Sequence, residues 1–130
     1  QGHHNKRQLL FGLYDLSVHM NSGKSPLQLW KEKEKEVLGD DFVKNTSFIS
    51  SFGHLMGGYD AGYYGYLWSQ VFGEDMYTRF AEAGPLNKEL GAFYRKTILE
   101  RGGSVDGDTL VKDFLGREPN NQAFLRKLGI

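Results

Sequence analysis

The chain has 130 residues, of which 39% are apolar and 14% aromatic, and this composition can supply one modest hydrophobic core. Its 16 basic and 16 acidic side chains give a formal net charge of zero, so the charge balance favours neither nucleic acid nor an anionic membrane as a partner. The sequence contains no cysteine, which excludes disulfides and thiolate chemistry, and no apolar run is long enough to span a membrane.

Two helices are predicted in the first 39 residues. Leucines at helical spacing predict an amphipathic helix from Asn5 to about Met20. A capping serine, Ser25, with proline at the next position and glutamine three residues on, predicts the start of a second helix, which should end at Gly39. The alternating charges of its KEKEKE run indicate a solvated face.

The rest of the chain is predicted to be helical after one irregular segment, residues 40–58, which shows no clean periodicity. Apolar spacing and breaks at glycine and proline predict five further helices, at 59–72, 74–83, 86–100, 108–115 and 119–128. Asp108 is the expected N-cap of the fourth of these. No strand signal exceeds a few residues, so the predicted fold class is all-α, with several packed helices.

The segment FGHLMGGYDAGYYGYLW, which we call the glycine-tyrosine segment, runs from Phe52 to Trp68. Five glycines, called here the loop glycines, occur in it: Gly53, Gly57, Gly58, Gly62 and Gly65. Glycine weakens helices and strands, and such local costs in stability tend to occur where function requires them. The segment is therefore the candidate functional region of the chain.

Helical spacing in this segment predicts two faces. Three tyrosines and an amide should share one face, Tyr59, Tyr63, Tyr66 and Gln70, and the opposite face should form a core stripe, Tyr64, Leu67, Trp68 and Val71. Phenols can donate to a peptide carbonyl or to a developing oxyanion. His54 lies upstream, across a glycine pair that can act as a hinge. The competing interpretation is that the tyrosines are half-buried packing and that His54 is a satisfied polar residue.

The sequence has no complete catalytic motif. Its four histidines form no zinc-binding pattern: His3, His4, His19 and His54. An HExxH helix, a nucleophile elbow, a phosphate loop and paired carboxylates are also absent from the sequence. We therefore expect a chain that contacts a substrate but holds no metal and no complete hydrolytic site of its own.

The glycine-tyrosine segment resembles the C-terminal part of the thimet oligopeptidase, neurolysin and saccharolysin family of zinc oligopeptidases. The order of histidine, double glycine and three spaced tyrosines carries the resemblance. It extends to NKRQLLFGLYDLSVH, which resembles the preceding helix of the family, and to ILERGGSVDGDTLVKDFLGREPNNQAFLRKLGI, which resembles its ending. Nearly all of the 130 residues are covered, but only the last part of a family member.

This resemblance implies a mostly helical fold with two lobes around a deep channel for short peptides. Residues 1–130 would be the C-terminal part of its catalytic domain, and the expected partners are short peptides and the remainder of that domain. The zinc-binding HExxH helix and a downstream glutamate of the family lie outside the sequence. Zinc is therefore expected in the full-length enzyme and not in this chain alone. The expected location is the cytoplasm, with the mitochondrion as the alternative.

The resemblance also implies roles for single residues. His54 and Tyr59 match substrate-binding positions of the channel. Tyr63 and Tyr66 match positions that hold the peptide and the oxyanion of the tetrahedral intermediate. The loop glycines match a flexible loop that adjusts to different substrates.

Two other functions stay open at this point: a non-catalytic peptide-binding module and a structural helical domain whose tyrosine face docks on a partner. Coding sequence for HExxH immediately upstream of Gln1 would favour the peptidase. A natural start near Gln1 would favour the other two.

Overall fold

The structure, a computed structural model, describes residues 2–20, 23–39 and 45–130. Within these ranges it contains α-helices and no β-strand, which confirms the all-α prediction. The α-helices are α1 (Gly2–His19), α2 (Pro26–Leu38), α3 (Tyr64–Ala83), α4 (Lys88–Tyr94), α5 (Gly107–Leu115) and α6 (Gln122–Leu128). Among the described helices, none combines the length and the apolar character that crossing a membrane requires.

Shorter helical turns connect these helices. Phe48–Ser51, Gly53–Met56 and Gly102–Ser104 are 3₁₀ turns, and Arg95–Leu99 is a π-helical turn that directly follows α4. The chain divides into two compact units, Gln1–Trp68 and Ser69–Ile130, which are described separately below.

The ends of α2 are as predicted, because both are fixed by local chemistry. The Ser25 side chain accepts a hydrogen bond from the backbone N–H of Gln28 at 3.3 Å, and Pro26 begins the helix. Gly39 ends it in the left-handed conformation, with φ 80°. The predicted loop and irregular residues at 21–22 and 40–44 lie outside the described residues.

Several other predicted boundaries are wrong. The helices predicted at 59–72 and 74–83 are one helix, α3, which begins only at Tyr64 and passes through Gly73 without a break. One glycine costs a helix only about 1 kcal/mol relative to alanine, which packing can offset. The helix predicted at 86–100 is α4 followed by the π-helical turn. The N-cap of α5 is Asp106, which accepts from the backbone N–H of Asp108 at 2.9 Å.

The first unit has an aromatic core between α1, α2 and the glycine-tyrosine segment. Its buried members are Leu10, Phe11, Tyr14, Leu29, Trp30, Phe52 and Tyr63. The Phe11 ring stacks on Phe48 with centroids 4.9 Å apart and meets the Tyr63 ring edge-on at 5.6 Å. These contacts hold the start of the glycine-tyrosine segment and Tyr63 against α1.

The second unit has its own core around Phe114, which is fully buried. Its other buried apolar residues are Leu90, Leu110, Val111 and Phe124. The buried carboxylate of Asp75 accepts two hydrogen bonds from Arg117, at 2.6 and 2.9 Å, and one from the backbone N–H of Asn120 at 2.8 Å. This bidentate pair ties the segment after α5 to α3 within the unit.

Candidate functional site

A tight turn precedes α3 and decides where Tyr59 lies. Gly58 and Ala61 both have positive φ, 85° and 56°, and the backbone N–H of Gly62 donates to the Tyr59 carbonyl at 2.8 Å. Tyr59 is therefore outside the helix, and the prediction that it shares one continuous helical face with Tyr66 is wrong. The turn nevertheless returns the Tyr59 ring to Tyr66, with centroids 5.2 Å apart and an interplanar angle of 18°.

His54 lies among the three tyrosines. Its ring centroid is 5.9 Å from that of Tyr59, 5.1 Å from that of Tyr63 and 5.8 Å from that of Tyr66. The interplanar angles are 71°, 86° and 87°, so every contact is edge to face, the favoured arrangement for aromatic rings. The four predicted site residues thus come together, and we call them the tyrosine cluster.

The members of the tyrosine cluster differ in exposure. Tyr59 and Tyr66 are 48% and 43% exposed, whereas Tyr63 is only 8% exposed and its hydroxyl donates to Gln8 Oε1 at 3.1 Å. Beside the exposed rings is an open hollow of about 360 Å³, lined by Ser51, Gly53, His54, Gly57 and Tyr59. The cluster therefore presents two phenols and an imidazole on the surface of the first unit, and Tyr63 supports them from below.

The phenols of Tyr63 and Tyr66 are held in the protonated form. A hydrogen bond with Tyr59 is the main cause that raises the pKa of Tyr66 above its ordinary value of 10.0, and partial burial adds to it. Burial raises the pKa of Tyr63, while Gln8 and the charge of Arg7 partly oppose the shift. At neutral pH both groups are therefore hydrogen-bond donors and not phenolates.

The backbone favours glycine at three of the loop glycines. A Cβ at Gly57 would lie 2.9 Å from the Gly53 carbonyl oxygen, and one at Gly62 would lie 3.3 Å from that of Tyr59. Gly58 has the positive φ that favours glycine. Gly53 and Gly65 face open space, so sterics alone do not require glycine there. The flexibility of the segment stays a prediction.

The predicted core stripe on the other face is wrong for its aromatic members. Tyr64 is 52% exposed and Trp68 is 60% exposed. Because α3 starts at Tyr64, the residue that packs on the aromatic core is the one before the helix, Tyr63, whose ring meets Phe11 and Phe52 edge-on.

Two residues of α1 shape this site and were not predicted from the sequence. Asp15 is completely buried, and its carboxylate accepts hydrogen bonds from the backbone N–H groups of Ala61 and Tyr63. Gly12 lets the helices approach closely, since a Cβ there would lie 3.3 Å from Tyr64 Cα. The signal for Asp15 is a carboxylate inside the apolar run LLFGLYDLSV, where a charge without a partner would be costly.

The described residues do not fit a zinc site. Among them, no group of three or more histidine, aspartate or glutamate side chains is placed to hold a metal ion. His54 makes its ring contacts with Phe52 and three tyrosines, and none of these is among the cysteine, histidine and carboxylate side chains that usually bind zinc. The chemistry of this part of the chain is that of hydrogen-bond donors.

Comparison with known proteins gives a consistent set of relatives. The profile of peptidase family M3 matches residues 1–130. Saccharolysin of Saccharomyces cerevisiae is 44% identical to this chain, over 95% of the chain and 18% of saccharolysin. The thimet-like oligopeptidase of Dictyostelium discoideum is 37% identical, and the probable cytosolic oligopeptidase A of Arabidopsis thaliana 34%, each over 95% of this chain and 19% of the relative.

The chain thus spans about a fifth of the length of these curated relatives. The family profile covers both units, including α1 with Asp15 and the whole glycine-tyrosine segment. The resemblance seen in the sequence is confirmed, and the chain belongs to peptidase family M3.

Proposed function

We propose that the protein containing this chain is a zinc metalloendopeptidase that hydrolyses short peptides. In this proposal residues 1–130 are the C-terminal, substrate-channel part of its catalytic domain. Support comes from the names of the relatives, two of which are oligopeptidases, and from the family match. Zinc would be held by residues outside this chain, and the chain alone would be inactive. The cytosolic name of the Arabidopsis relative favours the cytoplasm, with the mitochondrion as the alternative.

The observation that carries the proposal is the pair of half-exposed phenols of Tyr59 and Tyr66 beside His54, where Tyr59 and His54 line an open hollow. Rigid rings hold the hydroxyl donors at fixed positions, and little reorganisation is needed when a peptide arrives. Residues that merely fill a core would bury these rings. Tyr64 and Trp68 are also more than half exposed, so exposure alone does not define the site, which is defined by the ring contacts that join His54 to Tyr59, Tyr63 and Tyr66.

Each exposed group has a proposed task. When water adds to the scissile carbonyl, the carbon becomes tetrahedral and negative charge develops on the carbonyl oxygen. The Tyr66 hydroxyl exchanges its hydrogen bond with Tyr59 for one to this oxygen, an interaction that strengthens as the charge develops. Tyr59 and His54 bind the peptide through its carbonyl groups. One lost oxyanion donor raises the barrier by roughly 2.7–4 kcal/mol in other hydrolases.

Tyr63 has a different proposed role, because it is almost completely buried. Its hydroxyl donates to Gln8, and its ring lies 4.9 Å from the ring of Tyr66. To contact the peptide or the oxyanion, the hydroxyl must exchange Gln8 for the substrate. In the absence of that exchange, Tyr63 supports the ring of Tyr66. The loop glycines would let the segment close over peptides of different size.

The test is a comparison of two tyrosine variants of the full-length enzyme on a quenched fluorescent peptide. Tyr66→Phe keeps the ring and removes the donor, so kcat should fall by about 10²–10³ with little change in KM. Tyr64→Phe, two residues away and also about half exposed, is the control and should keep kcat. A normal kcat for Tyr66→Phe, or an equal loss in both variants, would contradict the proposal.

A further inference from the structure

We infer that Asp15 is a positioning residue for the tyrosine cluster, an inference that rests on the proposed function. The residue is completely buried and lies on α1, far along the chain from the cluster. Its two carboxylate oxygens are used separately. Oδ1 accepts from the backbone N–H of Ala61 at 3.1 Å, and Oδ2 accepts from that of Tyr63 at 2.9 Å.

These two hydrogen bonds hold the turn that determines the ring geometry. Ala61 lies midway between Tyr59 and Tyr63 and has φ 56°, which alanine rarely adopts. Such a conformation persists when the surroundings fix it, and Asp15 fixes the backbone on both sides of Gly62. The carboxylate also lies at the start of α3, where the helix dipole favours negative charge.

His19 holds Asp15 from the other side. Its Nδ1 is 2.8 Å from the Asp15 carbonyl oxygen and 3.1 Å from Oδ1. Both of these atoms are acceptors, so the hydrogen bonds assign the proton to Nδ1. Oδ1 accepts from Ala61 and also lies close to His19 Nδ1, so His19 and the turn together limit the orientations open to the carboxylate.

The role of Asp15 in the reaction is indirect. Because Asp15 is buried, it cannot contact a peptide. It acts by fixing the backbone that positions the rings of Tyr59, Tyr63 and Tyr66. Without it the turn can relax, and the 5.2 Å stack of Tyr59 on Tyr66 is no longer held. A misplacement of about 1 Å can cost about 10² in rate, so the loss should appear in kcat more than in KM.

The test uses Asp15→Asn in the full-length enzyme, with Asp75→Asn as the matched control. Asparagine keeps the size of the side chain but replaces one acceptor with an NH₂ group. Asp75 is equally buried, lies in the second unit and belongs to no part of the cluster. Amide hydrogen exchange at Ala61 and Tyr63 is measured together with kcat and KM.

The expected result is faster exchange at Tyr63 or Ala61 by about tenfold in Asp15→Asn, as for one lost hydrogen bond. With it, kcat should fall by about tenfold to a hundredfold, with KM changed little. Asp75→Asn should leave both exchange at these amides and kcat unchanged. Unchanged exchange in Asp15→Asn would overturn the inference whatever the activity.

A second outcome separates this inference from the proposed function. Faster exchange with a normal kcat, in an enzyme that Tyr66→Phe still slows, would overturn the role of Asp15 and leave the proposed function standing. A normal kcat for Tyr66→Phe would instead refute the proposed function, and the role of Asp15 with it.

If Asp15→Asn does not accumulate as folded enzyme, the comparison is made in an Ala61→Gly background. Glycine adopts positive φ without strain, so Asp15 is no longer needed to hold residue 61 in the left-handed conformation. One of the N–H groups of residue 61 and Tyr63 still loses its acceptor, and kcat should be lower in the double variant than in Ala61→Gly alone. Equal kcat values in the two would overturn the inference.

Discussion

The rings of Tyr59 and Tyr66 are stacked, although only Tyr66 belongs to α3. The turn at Gly58 and Ala61 replaces the helix that would otherwise carry both residues. Side chains brought together by a turn can separate when the turn opens, whereas those on one helical face cannot. The geometry of the tyrosine cluster thus depends on contacts that α1 makes with this turn.

Tyr59→Phe should lower the pKa of the Tyr66 phenol towards 10.0, because the hydrogen bond with Tyr59 is the main cause of its upward shift. A phenol donates only below its pKa, so the alkaline loss of kcat should move to lower pH in this variant. Tyr59→Phe should also raise KM and alter substrate choice more than it lowers kcat. The measurement is the pH profile of kcat between about pH 8 and 11, and an unchanged alkaline limb would refute the assignment.

Gly12→Ala should destabilise the first unit by about 1–3 kcal/mol, the usual cost of overpacking. The new Cβ would lie 3.3 Å from Tyr64 Cα, and backbone gives way less easily than a side-chain tip. Gly73→Ala is the control: this glycine lies inside α3 with nothing within 4 Å of a Cβ, and alanine there should stabilise by about 0.5–1 kcal/mol. Urea unfolding of both variants gives the comparison, and equal free energies of unfolding would contradict it.

Arg117→Ala should make the second unit sensitive to acid. The hydrogen bonds from Arg117 are the main cause that lowers the pKa of Asp75 below 3.8, against the opposing effect of burial. A lowered pKa contributes stability above the unfolded-state value of about 3.9, and this stability is lost as the pH falls through the folded-state value. In Arg117→Ala the loss should begin at higher pH, and the free energy of unfolding at neutral pH should fall by about 1.5–3 kcal/mol.

The control for this prediction is Lys112→Ala, which removes a more exposed ion pair with Glu118. Exposed pairs contribute only about 0.2–1 kcal/mol, so this variant should behave almost as the wild type. Acid unfolding followed by far-ultraviolet circular dichroism distinguishes the two. Identical acid midpoints for Arg117→Ala and Lys112→Ala would mean that the Asp75 pair adds nothing to stability.

Amide exchange should be faster through Gly53–Gly58 than around Leu67–Val71 in α3. The backbone N–H of Gly57 has a long hydrogen bond to the His54 carbonyl, at 3.4 Å, and most residues of this stretch are exposed. The helix after it has continuous backbone hydrogen bonding. Equal protection in the two regions would show that the loop glycines do not form a hinge.

The sequence-based predictions are correct where the structure is fixed by contacts between residues close together in the sequence. Ser25 and Gly39 mark the ends of α2 correctly because their hydrogen bonds reach only three or four residues along the chain. The turn before α3 was missed because alanine, a strong helix former, occupies the left-handed position at 61. What fixes that conformation is Asp15, 46 residues away, and no local pattern encodes such a contact.

The grouping of the candidate site was predictable, but the exposure of its members was not. His54 makes ring contacts with Tyr59, Tyr63 and Tyr66, and the roles of these four residues stay a prediction. Which tyrosine is buried depends on where α3 begins and on the position of the aromatic core of α1. A helix assumed to begin at Tyr59 predicts that Tyr64 faces the core, whereas the structure buries Tyr63.

The central claim is that Tyr66 stabilises the transition state of peptide hydrolysis, and the most direct measurement compares two ligands of the full-length enzyme. A phosphinic peptide mimics the tetrahedral intermediate, and a product peptide of the same sequence does not. Tyr66→Phe should weaken binding of the phosphinic peptide by about 10²–10³ and leave product binding within about twofold. Equal weakening of both ligands, or no weakening of the phosphinic peptide, would contradict the claim.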